Sequence, residues 1–333
     1  MDKRKKILII SDEDDISTND VLRWISYYSV DYLRVNNTSS LNFIEAQISN
    51  EKETIIFEYN DTLYDLADFT GYWYRRGRLN FNYDFDFFSD NETLLKSISE
   101  MLNNELTYLN NFIYYFIEKY RNIRHIGSIH NNKTNKLSNL LIAKSVGLNV
   151  PETFIANEKK RLKKFIEKTN IAITKPIYQR GIEYSESNIY LTGLTSVISR
   201  ECLSSKNEKL TNSLLQSYIE KKYELRIFFL NDKYFTSAIF SQNDEMTKID
   251  FRNYNSAKPN RTPPFTLPKE ILDKLKKCMA KIGLNSGSID MIVTPENDFV
   301  FLEVNPVGMF WQVSYPCNYY LEREIAKYLC EID

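Results

Sequence analysis

The chain has 333 residues, enough for two or three packed subdomains with a substantial core. Its 43% hydrophobic and 26% charged residues are ordinary for a globular protein, and only 9 Gly and 9 Pro exclude collagen-like or low-complexity sequence. With 43 Lys and Arg against 44 Asp and Glu, the formal charge is −1, so no global field draws the protein to nucleic acid or an anionic membrane.

MDKRKKILIISDEDD opens with a short apolar run that polar residues end. The run is too short for a signal peptide and reads as a buried parallel strand. Helical spacing follows over Asp20 to Tyr28, then a strand in VDYLRVN, then strand-like pieces in ETIIFEYNDTLYDLADFTGYWYRR with a break at Gly71. This alternation predicts an α/β unit over roughly residues 1–120. Glu92 to Arg121 carries Tyr, Phe and Leu at helical spacing and reads as a long helix facing the core. A helix from Lys136 to Ser145 stops at Gly147 and passes through Pro151 into a strand. Residues 158–168 form a charged amphipathic helix, and NIAITKPI is again a strand. From Leu214 onward LLQSYIEK, YELRIFFLND and KYFTSAIFSQ are strand-like, followed by the Pro-rich loop NSAKPNRTPPF. A helix over 268–282, the strand pair SIDMIVT and DFVFLEVNP around a PEND turn, and a final helix over 319–330 close the chain.

Cys202, Cys278, Cys317 and Cys330 are widely spaced, with no CxxC pair, so neither a zinc ribbon nor a redox motif is indicated. They read as reduced, mostly buried thiols of a cytoplasmic protein. His125 and His130 read as surface residues, which argues against a His-based triad. No stretch is long and apolar enough to span a bilayer.

The most informative segment is SIDMIVTPENDFVFLEVNP. Residues two apart on a strand share a face, so Glu303 and Asn305 project together, and a hairpin brings Asp290 beside them. Three hard oxygen ligands on one sheet suit Mg²⁺ bridging ATP phosphates, although an ordinary polar hairpin face has the same pattern. Lys136 and Lys175 come from separate elements and can act as point cations on polyphosphate; Lys175 interrupts a β run just before Pro176. LLQSYIEKKYELRIFF places a hinge between two strands, whose backbone can meet adenine edges, with Glu224 reaching ribose hydroxyls. Arg226 shares the face of Glu224, as an ion pair or an anion contact.

In this order Lys136, Gly147, Pro151, Lys175, the Gln216–Ile219 hinge, Glu224-x-Arg226, Asp290 and Glu303-x-Asn305 resemble the ATP-grasp superfamily from about Asn132 to Pro306. The resemblance implies an α/β (α+β) class: an ATP-grasp fold behind an N-terminal α/β preATP-grasp domain. The expected partition is 1–125, a central ATP-grasp subdomain over 126–213, and a C-terminal subdomain over 214–333. It implies ATP and Mg²⁺ as cofactors. Lys136 and Lys175 would contact the phosphates, Gln216, Ser217, Tyr218 and Ile219 would line the adenine, and Glu224 would hold the ribose. Asp290, Glu303 and Asn305 would ligate Mg²⁺. The sequence departs from the common pattern after the second lysine, where KPIYQRGIEYS carries Gly181 alone and Arg180 is a candidate phosphate contact.

YWYRRG (72–77), DFR (250–252) and NPVGMFWQVSYPCNYYLEREIAKYL look more narrowly like the graspetide synthetases, of the microviridin-type and grasp-with-spasm systems. These macrocyclise ribosomally made precursor peptides. That resemblance implies a leader-bearing precursor peptide as partner, Glu or Asp as acyl donor, Thr, Ser or Lys as acceptor, and suggests a homodimer. Arg226 and Arg252 are the candidates for steering an acyl phosphate or tetrahedral oxyanion, and Arg75 and Arg76, near Arg78, for meeting an acidic core peptide. The rival readings are an ATP-grasp ligase acting on a small substrate or a protein terminus, and a silent peptide-binding scaffold.

Overall fold

In the strand Lys6–Ser11 every residue after Lys6 is buried, because this strand is interior to a parallel sheet covered on both faces. The computed structural model describes residues 5–81, 91–121, 123–132, 134–178, 182–184, 189–191, 195–204, 207–242 and 259–332, with backbone alone for 182–184 and 189–191. The chain forms two compact units, Met1–Asn132 with Tyr320–Asp333, and Lys133–Tyr319. The first boundary lies a few residues beyond the expected 125. The final helix belongs to the first unit instead of to a C-terminal subdomain.

The parallel sheet of the first unit runs Asp31–Asn36, Lys6–Ser11, Gly71–Tyr74, Arg124–Ile126. Gly71 opens its strand and does not break it; the break is the 3₁₀ turn Leu66–Asp68. A side chain at Gly71 would meet the Leu329 carbonyl at 3.1 Å, so this glycine lets the final helix, Leu321–Cys330, approach the sheet. That helix buries Leu321, Ile325, Ala326 and Leu329 and packs on the helix Ile16–Tyr27. Lys5 Nζ and Arg124 Nη1 donate to the carbonyls of Cys330 (2.8 Å) and Tyr328 (3.3 Å), placing cations at its C-terminus. A smaller sheet of Ser40–Ile48, Glu53–Tyr59 and Thr62–Asp65, with Asn80–Phe81 alongside, completes the strands of this unit.

The long helix spans Glu92–Tyr115 and continues as a π turn over Phe116–Tyr120. Only Ile113 and Tyr114 of its α-helical part are buried, so the expected core-facing helix holds for its last turn alone. Leu94, Met101 and Tyr108 are exposed, and Leu95, Ile98, Leu102, Leu106 and Leu109 are only partly buried. The π turn directs Glu118 inward, where it accepts from Ser128 Oγ (2.5 Å) and Ile129 N (3.2 Å) and is 1% exposed.

The second unit holds two antiparallel sheets and a short hairpin, Ile182–Tyr184 with Ile189–Leu191. The first sheet runs Ser196–Ile198, Ala172–Thr174, Lys209–Ser217, Thr153–Glu158. Leu162, Phe165 and Ile166 of the helix Lys159–Thr169 cover one face of it. The second runs Pro264–Phe265, Lys233–Ile239, Tyr223–Leu230, Ser286–Val293, Phe299–Asn305. Its apolar face packs under the helices Lys136–Ser145 and Lys269–Ile282, burying Leu225, Ile227, Phe229, Ile289, Met291 and Phe301. Asn135 caps the first helix by accepting from Leu137 and Ser138 N–H groups, and Gly283, at φ 81°, ends the second. A short helix unforeseen in the sequence, Trp311–Cys317, follows the last strand.

Candidate active site

Alternation along Tyr223–Leu230 sends Leu225, Ile227 and Phe229 into the core and Glu224 and Arg226 to the opposite face. The register places Arg226 opposite Asp290, and Asp290 opposite Glu303. Between these pairs the ladder slips: Met291 faces Phe301, so Leu302 is an extra residue. Without that bulge Phe301 and Glu303 would share a face. With it Phe301 enters the core while Glu303 and Asn305 join Asp290 on the open face.

Among the described residues the expected constellation comes together around two carboxylates. Arg226 Nη1 lies 2.7 Å from each oxygen of Asp290. Lys136 Nζ donates to Glu303 Oε2 at 2.6 Å, and Asn305 Nδ2 donates to Oε1 at 3.3 Å. Burial alone would raise the Glu303 carboxyl, but the charges of Lys136 and Lys175 and these hydrogen bonds outweigh it and hold the group below its ordinary value. Both lysines thus act on one carboxylate, although they come from different elements.

Glu224 is 7% exposed and its carboxyl is pushed up by burial, against the opposing pull of Lys221 and Ser241. Lys221 Nζ donates to Glu224 Oε1, and Ser241 Oγ donates to the same oxygen at 3.1 Å. Lys221, 5% exposed, escaped the sequence reading; its only signal was a lysine three residues before Glu224.

Gln216 lies opposite Ile173, on the face away from the covering helix, and Lys175 follows two residues after Ile173. Gln216 Nε2 donates to Thr153 Oγ1 at 2.8 Å, while its Oε1 is buried with no hydrogen-bond partner among the described residues. The N–H groups of Ser217 and Tyr218 donate to the carbonyls of Glu152 and Ile171. Their N–H groups are thus engaged within the protein, which leaves only carbonyl groups and side chains of these two residues for the expected adenine contacts. Ile219 is partly buried at the end of the same segment.

Arg75 and Arg76 belong to the first unit. Arg75 is 4% exposed; its Nε lies 2.8 Å from Asp15 Oδ2 and its Nη2 donates to Ser17 Oγ at 3.2 Å. Arg76 Nε reaches the same Asp15 oxygen at 3.2 Å from a side chain that is 41% exposed. Burial pushes the Asp15 carboxyl up, yet the two guanidinium groups and the donors Ser17 and Thr18 bring it below its ordinary value. Arg180, Gly181 and Arg252, with the whole DFR motif, lie outside the described residues.

The remaining expectations concern the histidines and cysteines. His130 is exposed and His125 is partly buried, with Nδ1 3.1 Å from the Ile123 carbonyl oxygen. All four cysteines are free, and only Cys202 is exposed.

The donor set suits Mg²⁺. Among the described residues no three His, Cys, Asp or Glu side chains gather for a metal, and the site offers two carboxylates and one amide oxygen on adjacent strands. Mg²⁺ takes one or two protein carboxylates and completes its shell with phosphate and water, so a sparse oxygen set fits it better than a full protein cage would. The ammonium on Glu303 and the guanidinium on Asp290 show that these oxygens already hold positive charge.

No curated protein matches the chain by sequence. Among solved structures it is similar to the macrocyclase MdnC bound with precursor peptide MdnA from Microcystis aeruginosa MRC. That likeness has 25% identity and a TM-score of 0.75, over 98% of this chain and 99% of the other. It is also similar to a Chryseobacterium gregarium RiPP-associated ATP-grasp ligase in complex with ADP and a leader and core peptide. Here identity is 24% and TM-score 0.78, over 98% and 97% of the two chains. A third likeness, at 14% identity and TM-score 0.67 over 98% of both chains, is to the ATP-grasp ligase PsnB complexed with a minimal precursor variant, Mg and ADP. The RimK-like ATP-grasp domain matches residues 131–329. Because that match spans more than half of the chain, including both lysines and the strands that carry both carboxylates, the protein belongs to the RimK-like ATP-grasp family of ATP-dependent ligases.

Proposed function

We propose that the protein is a peptide macrocyclase that joins Glu or Asp side chains of a ribosomally made precursor peptide to Thr or Ser as esters, or to Lys as amides. The supporting observation is the likeness to MdnC with its precursor peptide over 98% of this chain and 99% of the other. The RimK-like domain match does not reach most of the first unit, whereas this likeness does.

Mg²⁺ and ATP, when bound, supply a phosphoryl group that turns a carboxylate into an acyl phosphate, which a hydroxyl or amine then attacks with loss of phosphate. The chain's own groups prepare the place. Lys136 and Lys175 provide fixed positive charge beside Glu303, suited to phosphate oxygens. Arg226, held by both oxygens of Asp290, offers its remaining N–H donors to an acyl phosphate or oxyanion. Glu224, fixed by Lys221 and Ser241, keeps acceptor capacity for ribose hydroxyls, and Gln216 to Ile219 line the base. Asp290, Glu303 and Asn305 would hold the metal. Arg252 is retained as a second steering group, and Arg76 as the more accessible of the two arginines for an acidic peptide.

The test is intact mass spectrometry of the peptide encoded beside this gene after incubation with enzyme, Mg²⁺ and ATP. Successive losses of one water per ring, absent with Lys175→Ala or Glu303→Ala, are expected. ADP release with free amino acids and no change in peptide mass would replace this reading by a small-substrate ligase. A homodimer fits the partly exposed apolar stripe Leu95, Ile98, Leu102, Leu106 and Leu109. Sedimentation of wild type against Leu102→Glu checks it, with a fall to monomer expected.

A further inference from the structure

A cavity of about 990 Å³ opens over one edge of the five-stranded sheet, on the face that carries Glu224 and Arg226. Its base includes Ile239, directly opposite Glu224, together with Pro263 and Pro264. Its wall is Met309, Trp311 and Pro316. Trp311 is 52% exposed and Met309 39%, a large amount of apolar surface left uncovered beside a charged site.

The wall is fastened in place. Tyr319 Oη donates to the Thr236 carbonyl at 2.9 Å, and Cys317 Sγ donates to the Thr262 carbonyl at 3.5 Å. Phe310 packs on Phe228 with ring centres 5.7 Å apart, and Tyr319 on Phe235 at 5.6 Å. Such a pocket exists before its occupant arrives, which lowers the ordering cost of binding.

Across this sheet the chemistry changes strand by strand. Ser286–Val293 and Phe299–Asn305 carry the carboxylates, Tyr223–Leu230 carries Arg226, and Lys233–Ile239 borders the apolar cavity. Adjacent strands are about 4.8 Å apart, so the cavity begins roughly 10 Å from Asp290. An extended peptide covers that distance in about three residues. Among the described residues Arg261 is the sole cation of the lining, a charge suited to a peptide rim.

Resting on the macrocyclase reading, we propose that this cavity is a specificity subsite for an aliphatic or aromatic side chain of the substrate peptide, about three residues from the carboxylate being activated. The side chain sets which acidic residue is presented.

Calorimetry of the full chain with Mg²⁺·ADP tests it. The probes are short synthetic peptides with one Glu and one guest residue, Phe, Leu, Gly or Lys, three positions away. The Phe and Leu guests should bind about 10- to 100-fold more tightly than Gly, the range expected for burying one such side chain. Trp311→Ala and Met309→Ser, both at partly exposed positions, should cut that advantage to about threefold while leaving Mg²⁺·ADP affinity unchanged. Equal binding of all guests, an advantage undiminished in both variants, or no peptide binding overturns the subsite. Guest preference without ring formation keeps the subsite and discards macrocyclisation. Ring formation without guest preference does the reverse.

Discussion

At Glu303 two opposing forces meet: burial favours the neutral acid, and Lys136, Lys175 and Asn305 favour the anion, which wins. A carboxylate held below its ordinary value of 4.5 contributes stability that is full above that pH and is lost as pH falls through the lower folded value. Urea midpoints measured from neutral to acid pH should therefore fall on the acid side in wild type, and less so in Glu303→Gln. That variant should also lose about 10²- to 10³-fold in turnover, comparable to removing one preorganised electrostatic contact. Asp15 obeys the same sign, since its folded value is also lowered. Asp15→Ala leaves Arg75 buried without its carboxylate and should cost about 3–5 kcal/mol by chemical denaturation. Arg76→Ala, at a side chain 41% exposed, should cost under about 1 kcal/mol. Glu303, Asn305 and Asp290 were legible because alternation on a predicted hairpin puts them on one face. Lys221 and Asp15 were not, because one Lys of a KK pair or one Asp of the DEDD run looks the same in sequence whether solvated or buried in an ion pair.

Elements explain how those residues are aimed. The hairpin was readable from its two apolar runs around PEND, but the bulge at Leu302 was not. An extra residue changes which side chain meets the core without changing composition. Deleting Leu302 should turn the strand segment before it by one face and abolish turnover, with Phe301 or Glu303 displaced; hydrogen exchange along 299–305 would show the altered ladder. The loop behind Asn305 is equally constrained. A Cβ on Gly308 would lie 2.2 Å from Ser288 Oγ and 2.6 Å from Ser288 N, so Gly308→Ala must push the loop off the strand. An expected cost of about 1–3 kcal/mol, with a larger loss of kcat than of thermal stability, distinguishes this from a general packing defect. Elsewhere local patterns gave sound helices at Lys136–Ser145 and Lys269–Ile282, which Asn135 and Pro268 precede and Gly147 and Gly283 follow. The helix Glu92–Tyr115 shows the limit of such patterns: periodicity reports an apolar stripe but not what covers it.

At the scale of the whole molecule, the α/β character came from the early strand–helix alternation and the β-rich second half, and both are present. The assignment of the last helix was invisible, because no local signal tells a terminal helix which core to join. Ending the chain at Tyr319 should destabilise the first unit, exposing the faces of Val21 and Ile25 that the helix Ile16–Tyr27 buries, and should leave the protection of the second unit's sheets near wild type. Hydrogen exchange read by mass spectrometry separates the two units; equal loss in both would contradict the prediction. This arrangement also orders events during synthesis. Residues 133–319 are made between the two pieces of the first unit. At ribosomal rates that interval is about 10 to 40 s. Throughout it a nascent parallel sheet waits with one apolar flank uncovered, a site for chaperone engagement. The half translated first is the half completed last.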